Sequence, residues 1–490
     1  MAVLSGALAL SCLATSSHAA IPDMIGTGAL SMGAGGGGVA IAGDGAAARL
    51  NPAGLNRIER PTIAIGLSSA MHDFYPSPDL WWDTNRDGLI DYKDDPLVYD
   101  VNPEPALGLH LHGGRNVGGK FGIGLAAYVP VDRLLSFGTF EPELPNYFLY
   151  GHRHQRFNFA LGVGGEVFKG IAVGAAVDVL AAARFDLVAT LDAQVIAEGG
   201  GDAGLEDVVG DVVVDVHELD LDVVPDFAPI IGIQWDVGQA VPPLHGLWLG
   251  ASWRGSAGLL ITADLDVQAN IAAEDIGDLE PFVFSALIDG GLEIYDHYVP
   301  GQGAIGAAYR LEDTLDLYVD ARYTHWKPMI LNAARIADVD ITSPLIDIDD
   351  IVRDGNDHQV VLRSTWGVHS GLSLELPRFE VGKGIRYLQL TMRGGFGFEP
   401  SPLFDQGKSS ALLDADRTMY TLGAGVEHFD PFQLVDGPVR YDLFFQLHQL
   451  ATGVLPRSTP VPAAGYPRGA DSISVGGRIL MFGLEWSFDY

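Results

Sequence analysis

The stretch Asp83-Thr-Asn-Arg-Asp-Gly-Leu-Ile-Asp-Tyr-Lys-Asp94 carries the sharpest chemistry-bearing pattern in the chain. Side-chain oxygens fall at its positions 1, 3, 5 and 9 (Asp83, Asn85, Asp87, Asp91), Leu89 offers a backbone carbonyl, and Asp94 supplies a carboxylate at position 12. Hard oxygen donors at this spacing suit Ca2+, and Gly88 permits the sharp turn that wraps them around one ion. Asp94 reaches less far than a Glu would for a two-oxygen contact, and Pro76, Pro78 and Pro96 interrupt any flanking helix. The expectation is a structural calcium loop rather than a switch. The competing reading is an ordinary acidic turn.

Two further constellations suggest binding. Residues 134–150 are unusually apolar for a connection, and Leu134, Leu135, Phe137, Phe140, Tyr147, Phe148 and Leu149 are candidates to line a groove for a hydrophobic ligand. The same residues could instead pack on neighbours or on lipid. Arg153 and Arg156, beside His152 and His154, could meet a carboxylate head group, or could form a rim facing lipid phosphates. Two His residues without a third donor do not make a transition-metal site. For catalysis the chain has no Gly-x-Ser-x-Gly and no His-Glu-x-x-His. The glycine run at 35–38 lacks the preceding strand and the spacing of a phosphate loop.

These residues need a frame, and the frame reads as strands. Counting back from Tyr490, Phe488, Trp486, Leu484, Phe482 and Leu480 alternate with Asp489, Ser487, Glu485 and Gly483. Leu315, Leu317, Val319, Ala321 and Tyr323 alternate with Asp316, Asp320, Arg322 and Thr324. Tyr441, Leu443, Phe445 and Leu447 alternate with Asp442, Gln446 and His448, and Leu247, Leu249, Ala251 and Trp253 make a fourth case. A period of two puts one face against an apolar medium and the other toward a polar or crowded interior. Charged residues in the middle of such strands require that interior, and lipid tolerates only a closed sheet. Glycine, 62 of 490 residues against the usual ~7%, recurs inside the apolar stretches, which suits strands with a crowded face. The fold class expected is all-β, a transmembrane antiparallel barrel over residues 61–490, with strands near 62–70, 105–113, 119–130, 155–167, 170–184, 227–236, 246–263, 303–311, 314–325, 359–374, 385–398, 417–428, 438–449 and 473–490, a count of about 14 that is partly steered by the family resemblance given below.

Residues 1–19 are uncharged and end in Ser17-His18-Ala19, reading as a secretory signal cleaved near Ala19 or Ala20; the missing positive region would be explained by a start a few codons upstream. The sole cysteine, Cys12, lies there, and the apolar stretch before it, ending in Ala9-Leu10-Ser11, is too short for a good lipid-anchor site; with the signal removed the chain has no cysteine and needs no disulfide. A net charge of −34, with 29 Lys and Arg and no basic stripe, disfavours a nucleic-acid partner. The Asp-dense runs at 202–226 and 337–357 read as solvated loops, with divalent-cation binding as the alternative. Residues 21–56, rich in Gly and Ala, cannot build a core of their own and must lie against or inside something.

Three stretches resemble the long-chain fatty-acid and aromatic-hydrocarbon transporters of the Gram-negative outer membrane. They are Gly33 to Leu55, ending in Asn51-Pro52-Ala53-Gly54-Leu55; Gly303-Ala-Ile-Gly-Ala-Ala-Tyr309 with Leu315 to Trp326; and Arg393-Gly-Gly-Phe-Gly-Phe398, Ser401-Pro402, Asp414 to Arg417 and Tyr420 to Gly425. The resemblance implies a monomeric fourteen-stranded barrel with both ends in the periplasm and residues 20–60 as a hatch marked by Asn51, Pro52, Ala53 and Gly54. It implies capture of a hydrophobic small molecule at an extracellular groove, transfer to an internal pocket and sideways release into outer-membrane lipid, with no enzymatic activity. The loop at 83–94 would then face outside. The acidity of this chain departs from the better-known relatives and would not steer an anionic ligand inward. A barrel serving as a scaffold or secretion partner, or a barrel lipase with Ser and His assembled from distant positions, are the rival readings.

Overall fold

The computed structural model describes residues 28–75, 80–82, 95–97, 101–103, 105–131, 146–151, 157–196, 212–274, 282–312, 314–326, 335–342, 347–353, 362–382, 386–403, 412–429, 437–456, 467–468 and 472–490. Fourteen strands close a ring: β1 (Thr62–Phe74), β2 (Ala106–Val117), β3 (Phe121–Pro130), β4 (Asn158–Phe168), β5 (Ile171–Ile196), β6 (Val212–Asp236), β7 (Leu247–Arg254), β8 (Gly301–Leu311), β9 (Leu315–His325), β10 (Thr365–Glu375), β11 (Arg386–Glu399), β12 (Arg417–Phe429), β13 (Pro438–Pro456) and β14 (Ser472–Asp489). Each pairs antiparallel with the next. β14 returns to β1, with Thr62 opposite Asp489 and Phe74 opposite Gly477, so the ring leaves no edge.

The period of two decides which face each residue takes. In β1, Ile63, Ile65 and Leu67 are exposed while Ala64, Ser68 and Ala70 are buried. In β13, Tyr441, Leu443 and Phe445 point outward, and Asp442, Phe444, Gln446 and His448 point inward. The exposed surface is thus apolar and the enclosed one polar or small, the reverse of a soluble protein. Trp253, Trp366 and Tyr420 sit exposed near one rim and Tyr309, Tyr441 and Trp486 near the other, two aromatic girdles of the kind that mark membrane interfaces. The chain is a transmembrane barrel.

The stretch expected as one strand over 246–263 is two. β7 stops at Arg254, and after Gly255 and Ser256 a new strand runs Ala257–Glu274. Trp253 is exposed and Arg254 buried, yet Ala257 is buried too, so the two intervening residues shift the alternation by one. β5 and β6, of 26 and 25 residues, exceed the ~9–11 that crossing a bilayer requires. Their far ends join the hairpin Ala257–Glu274 and Phe282–Val299, whose first strand lies parallel to β5 with Ala263 opposite Phe185.

Candidate functional site

The segment before β1 holds two short helices, α1 (Ala29–Gly33) and α2 (Ala47–Leu50), and a 3-10 turn at Pro52–Arg57. Between α1 and α2 the chain turns through Gly35, Gly36 and Gly38, all at φ between 70° and 109°, which side chains on Cβ disfavour. The segment touches inward-facing positions on every side of the ring. Asn51, fully buried, donates from its amide to the carbonyls of Val39 (2.8 Å), Ile233 (3.0 Å) and Ala251 (3.3 Å) and accepts from the Ala53 N–H (3.2 Å). It therefore caps the 3-10 turn and ties it to β6 and β7 at once; Pro52, lacking an N–H, fits the first position of that turn. Gln234 adds donations to the carbonyls of Val39 and Ala42. The inward glycines of the wall make room: a Cβ on Gly232 would overlap Oδ1 of Asn51, and one on Gly122 would overlap the Leu55 carbonyl.

Charged side chains from the wall close over the rest of the segment. Asp320 of β9 accepts from the backbone N–H of Gly38 and of Val39 (3.1 Å for the latter). Arg322 donates to the Gly36 carbonyl (3.0 Å), and the Nδ1 of His369 lies 2.8 Å from the Gly35 carbonyl. Behind them Glu399 gathers His369 (3.0 Å), Arg322 (3.8 Å) and Arg417. On the far side Glu485 of β14 accepts from the Ala29 N–H (3.1 Å) and faces His112 (3.1 Å). Thr421 and Gln446 bind the carbonyls of Gly33 and Met32. Buried charges in such numbers are expensive unless paired, and here most of the partners are backbone groups of one segment.

Above α1, on the β1, β12, β13 and β14 side, the interior is apolar. Met32, Phe74, Tyr128, Tyr147, Trp326 and Phe444 belong to one buried cluster. Phe74 stacks on Tyr147 with centroids 4.2 Å apart and meets Tyr150 edge-on at 5.1 Å. A polar clasp holds the top of this cluster together. Asp414 accepts from the Tyr150 hydroxyl (2.6 Å) and from Ser401 Oγ (2.5 Å), and the Leu413 N–H donates to the Asn146 carbonyl (2.8 Å). Burial pushes the Asp414 carboxyl up to about 6 and the Tyr147 phenol up to about 12. The Tyr147 hydroxyl donates to the carbonyl of Gly476 and accepts from its N–H, both at 3.0 Å, where β14 bends through Gly476 and Gly477 at φ 135° and 129°.

Of the residues singled out in the sequence, Asn51, Pro52, Ala53 and Gly54 are buried against the wall, and Tyr147 and Leu149 lie in the apolar cluster rather than on an outer surface. Phe148 begins a short helix, Phe148–Gly151. Leu134, Leu135, Phe137, Phe140, Arg153, Arg156 and the six candidate calcium ligands lie outside the described residues. The residues that sequence reasoning left without roles are Asp320, His369, Glu399, Asp414 and Glu485. For Asp320, His369, Glu399 and Glu485 the signal was a polar or charged side chain at an inward position of a strand, whereas Asp414 precedes β12; the partners on the N-terminal segment, such as Gly38 for Asp320 and Ala29 for Glu485, lie hundreds of residues away and gave none.

No family model and no curated protein matches the chain. Solved structures do. A Pseudomonas aeruginosa FadL homologue is similar at a TM-score of 0.54 with 15% identity, covering 97% of this chain and 100% of its own. A deletion mutant of the monoaromatic hydrocarbon channel TodX is similar at 0.50 with 12% identity, covering 96% and 100%. Shared sequence is too slight to carry more than architecture, but the architecture agrees from end to end: in fold, the chain is a FadL-type transmembrane barrel.

Proposed function

We propose that the protein is an outer-membrane channel through which hydrophobic small molecules, long-chain fatty acids or hydrocarbons, enter a Gram-negative cell by passive diffusion, without enzymatic activity. The observation that carries this reading is the interior. An apolar cluster built on Met32, Phe74, Tyr147 and Phe444 fills one side of a barrel whose outer belt faces lipid. A water-filled pore would serve ions and sugars, whereas a greasy interior holds an alkyl chain at about 0.8 kcal/mol per buried methylene. The FadL homologue and the TodX hydrocarbon channel, of like fold, support it. In this reading residues 20–60 are the hatch, Leu134, Leu135, Phe137 and Phe140 belong to the outer groove that captures ligand, and release is sideways from a single barrel into the membrane. The test is uptake of a labelled fatty acid and a labelled alkane by cells lacking their own transporter. Uptake that rises with expression of the folded barrel supports the channel; equal uptake with and without it refutes the reading and leaves a scaffold. Mass spectrometry of co-purifying lipid would name the ligand.

We further propose that residues 83–94 hold a structural Ca2+ through Asp83, Asn85, Asp87, Leu89, Asp91 and Asp94. What supports this, beyond the spacing of the donors, is the hairpin that bounds the loop. Leu80–Trp82 pairs antiparallel with Asp95–Leu97, and Trp82 stands opposite Asp95, so both ends of the twelve-residue loop start from one ladder rung. The ion would supply positive charge to a strongly acidic outer surface. Calcium titration of the purified protein, followed by the melting temperature, tests it: no shift at millimolar Ca2+ removes the site.

A further inference from the structure

Glycines such as Gly232 and Gly122 turn toward the crowded interior, but Gly303 of β8 faces the lipid. Ala304 beside it lines the inside, and Ile305, the next residue on the same face as Gly303, is 58% exposed. Among the described residues, no atom outside its chain neighbours comes within 4 Å of where a Gly303 Cβ would stand. The strands on either side put Trp253 of β7 and Tyr323 of β9 directly opposite this glycine, and Trp366 of β10 opposite Tyr323. Trp253 and Trp366 are half exposed. The Tyr323 ring leans away from the gap: its centroid is 5.1 Å from that of Trp366, and His325 stacks along it at 6.2 Å. One rung nearer the rim, Gly301 stands opposite His325, so the floor carries no side chain over two successive outward positions. The result is a recess in the outer wall whose aromatic sides stand two strand spacings apart, about 10 Å from backbone to backbone.

We propose that this recess binds the sugar ring of an acylated amino sugar, a lipid of the lipid A class, stacked between Trp253 and Tyr323. The proposal rests on the outer-membrane reading, which places this rim, opposite the chain ends, in the outer leaflet. What selects a ring is the pair of aromatic faces. A pyranose has a flat face of C–H groups and an edge of hydroxyls, so it matches side chains that are apolar in body and sit where the bilayer turns wet. An acyl chain gains as much from aliphatic side chains, and the rung below supplies those, with Ile305 between Ala251 and Ala321. The recess opens onto the lipid belt, so its occupant arrives along the membrane plane and not through the lumen. Stacking needs no positive charge, which suits a chain of net charge −34. A girdle that only anchors the barrel would need no gap, whereas Gly303 leaves between two of its members the room of a side chain that no described neighbour fills.

Native mass spectrometry of the full-length folded barrel tests this, in detergent with lipid A or with a phosphatidylethanolamine of matched acyl length. One lipid A should be retained at concentrations about tenfold below those needed for the phospholipid, as two stacking contacts of the usual strength give. Gly303→Leu fills the recess, so the barrel should keep its heat-modifiable mobility while the preference disappears, and Trp253→Leu should act likewise. A wild type without the preference, or a preference that survives Gly303→Leu, overturns the proposal. A lipid-free dimer that Gly303→Leu abolishes overturns it too, because a second copy would then be the occupant. Should a variant fail to close, oxidative footprinting of the wild type decides. Lipid A should shield Trp253 and Tyr323 and the phospholipid should not; equal labelling overturns the proposal. Cell fractionation tests the underlying reading separately: a barrel absent from the outer membrane refutes that reading, and the natural lipid with it, whatever the binding result.

Discussion

Asp320→Ala tests how the segment before β1 is held. Asp320 is 1% exposed, and one of its oxygens accepts both the Gly38 and the Val39 N–H. A hydrogen bond to a buried charge is worth about 1.5–3 kcal/mol, so removing two should favour release of residues 35–42 by about 3–6 kcal/mol. At about 1.4 kcal/mol per decade, the released form becomes roughly a hundredfold to ten-thousandfold more populated. Hydrogen exchange by mass spectrometry, on protein in nanodiscs, reads that population directly for peptides spanning 34–42. Exchange there should accelerate by at least two decades, while β12 and β13, which do not touch Asp320, keep their protection. Asp320→Asn, which retains one neutral acceptor, should fall between. If the segment is a hatch, cells carrying the Ala variant should also become sensitive to antibiotics too large for ordinary pores. Unchanged exchange in a closed barrel would refute the reasoning, because the segment would then be held by contacts other than this carboxylate.

The remaining predictions concern packing, the wall and pH. Gly232→Val places a branched side chain on Oδ1 of Asn51, and the overpacking should destabilise by about 1–3 kcal/mol or expel the 3-10 turn, seen as a lower melting temperature and faster exchange at 51–57. Leu443→Arg puts a charge on the lipid face and should cost about 2–4 kcal/mol in unfolding from liposomes if the residue lies near the midplane. The Asp414 clasp should depend on pH. Its carboxyl titrates near 6 when folded against 3.8 ordinarily, so the folded state binds the proton more tightly. Stability from this group is greatest below about pH 4 and is lost as pH rises toward 6, by about 3 kcal/mol at most. Protection of residues 146–151 should therefore fall between about pH 4 and pH 6, and Asp414→Asn should flatten that dependence.

The alternation of large apolar residues with Asp, Arg, Gln and Gly was enough to say which face meets lipid in four strands, because a period of two acts locally, while the count of fourteen drew on the family resemblance as well. Leu443 outward and Gln446 inward follow from sequence alone. Several boundaries lie elsewhere than expected: β5 runs on to Ile196, β6 starts at Val212 inside an Asp-dense run read as a solvated loop, as do the strands Arg335–Thr342 and Asp347–Arg353, and at Gly255 and Ser256 two residues of slack reverse the alternation. The sequence likewise marked Asn51-Pro-Ala-Gly54 as notable without saying that Asn51 would donate to carbonyls of Val39, Ile233 and Ala251 together. Pairings of this kind join residues up to 456 positions apart, as Ala29 with Glu485, and they exist only once closure brings strands from opposite parts of the chain around one interior. Closure also decided that Tyr147 would cap a bend in β14. Local periodicity thus fixed what each strand shows to the lipid; which inward groups meet was left to the ring as a whole.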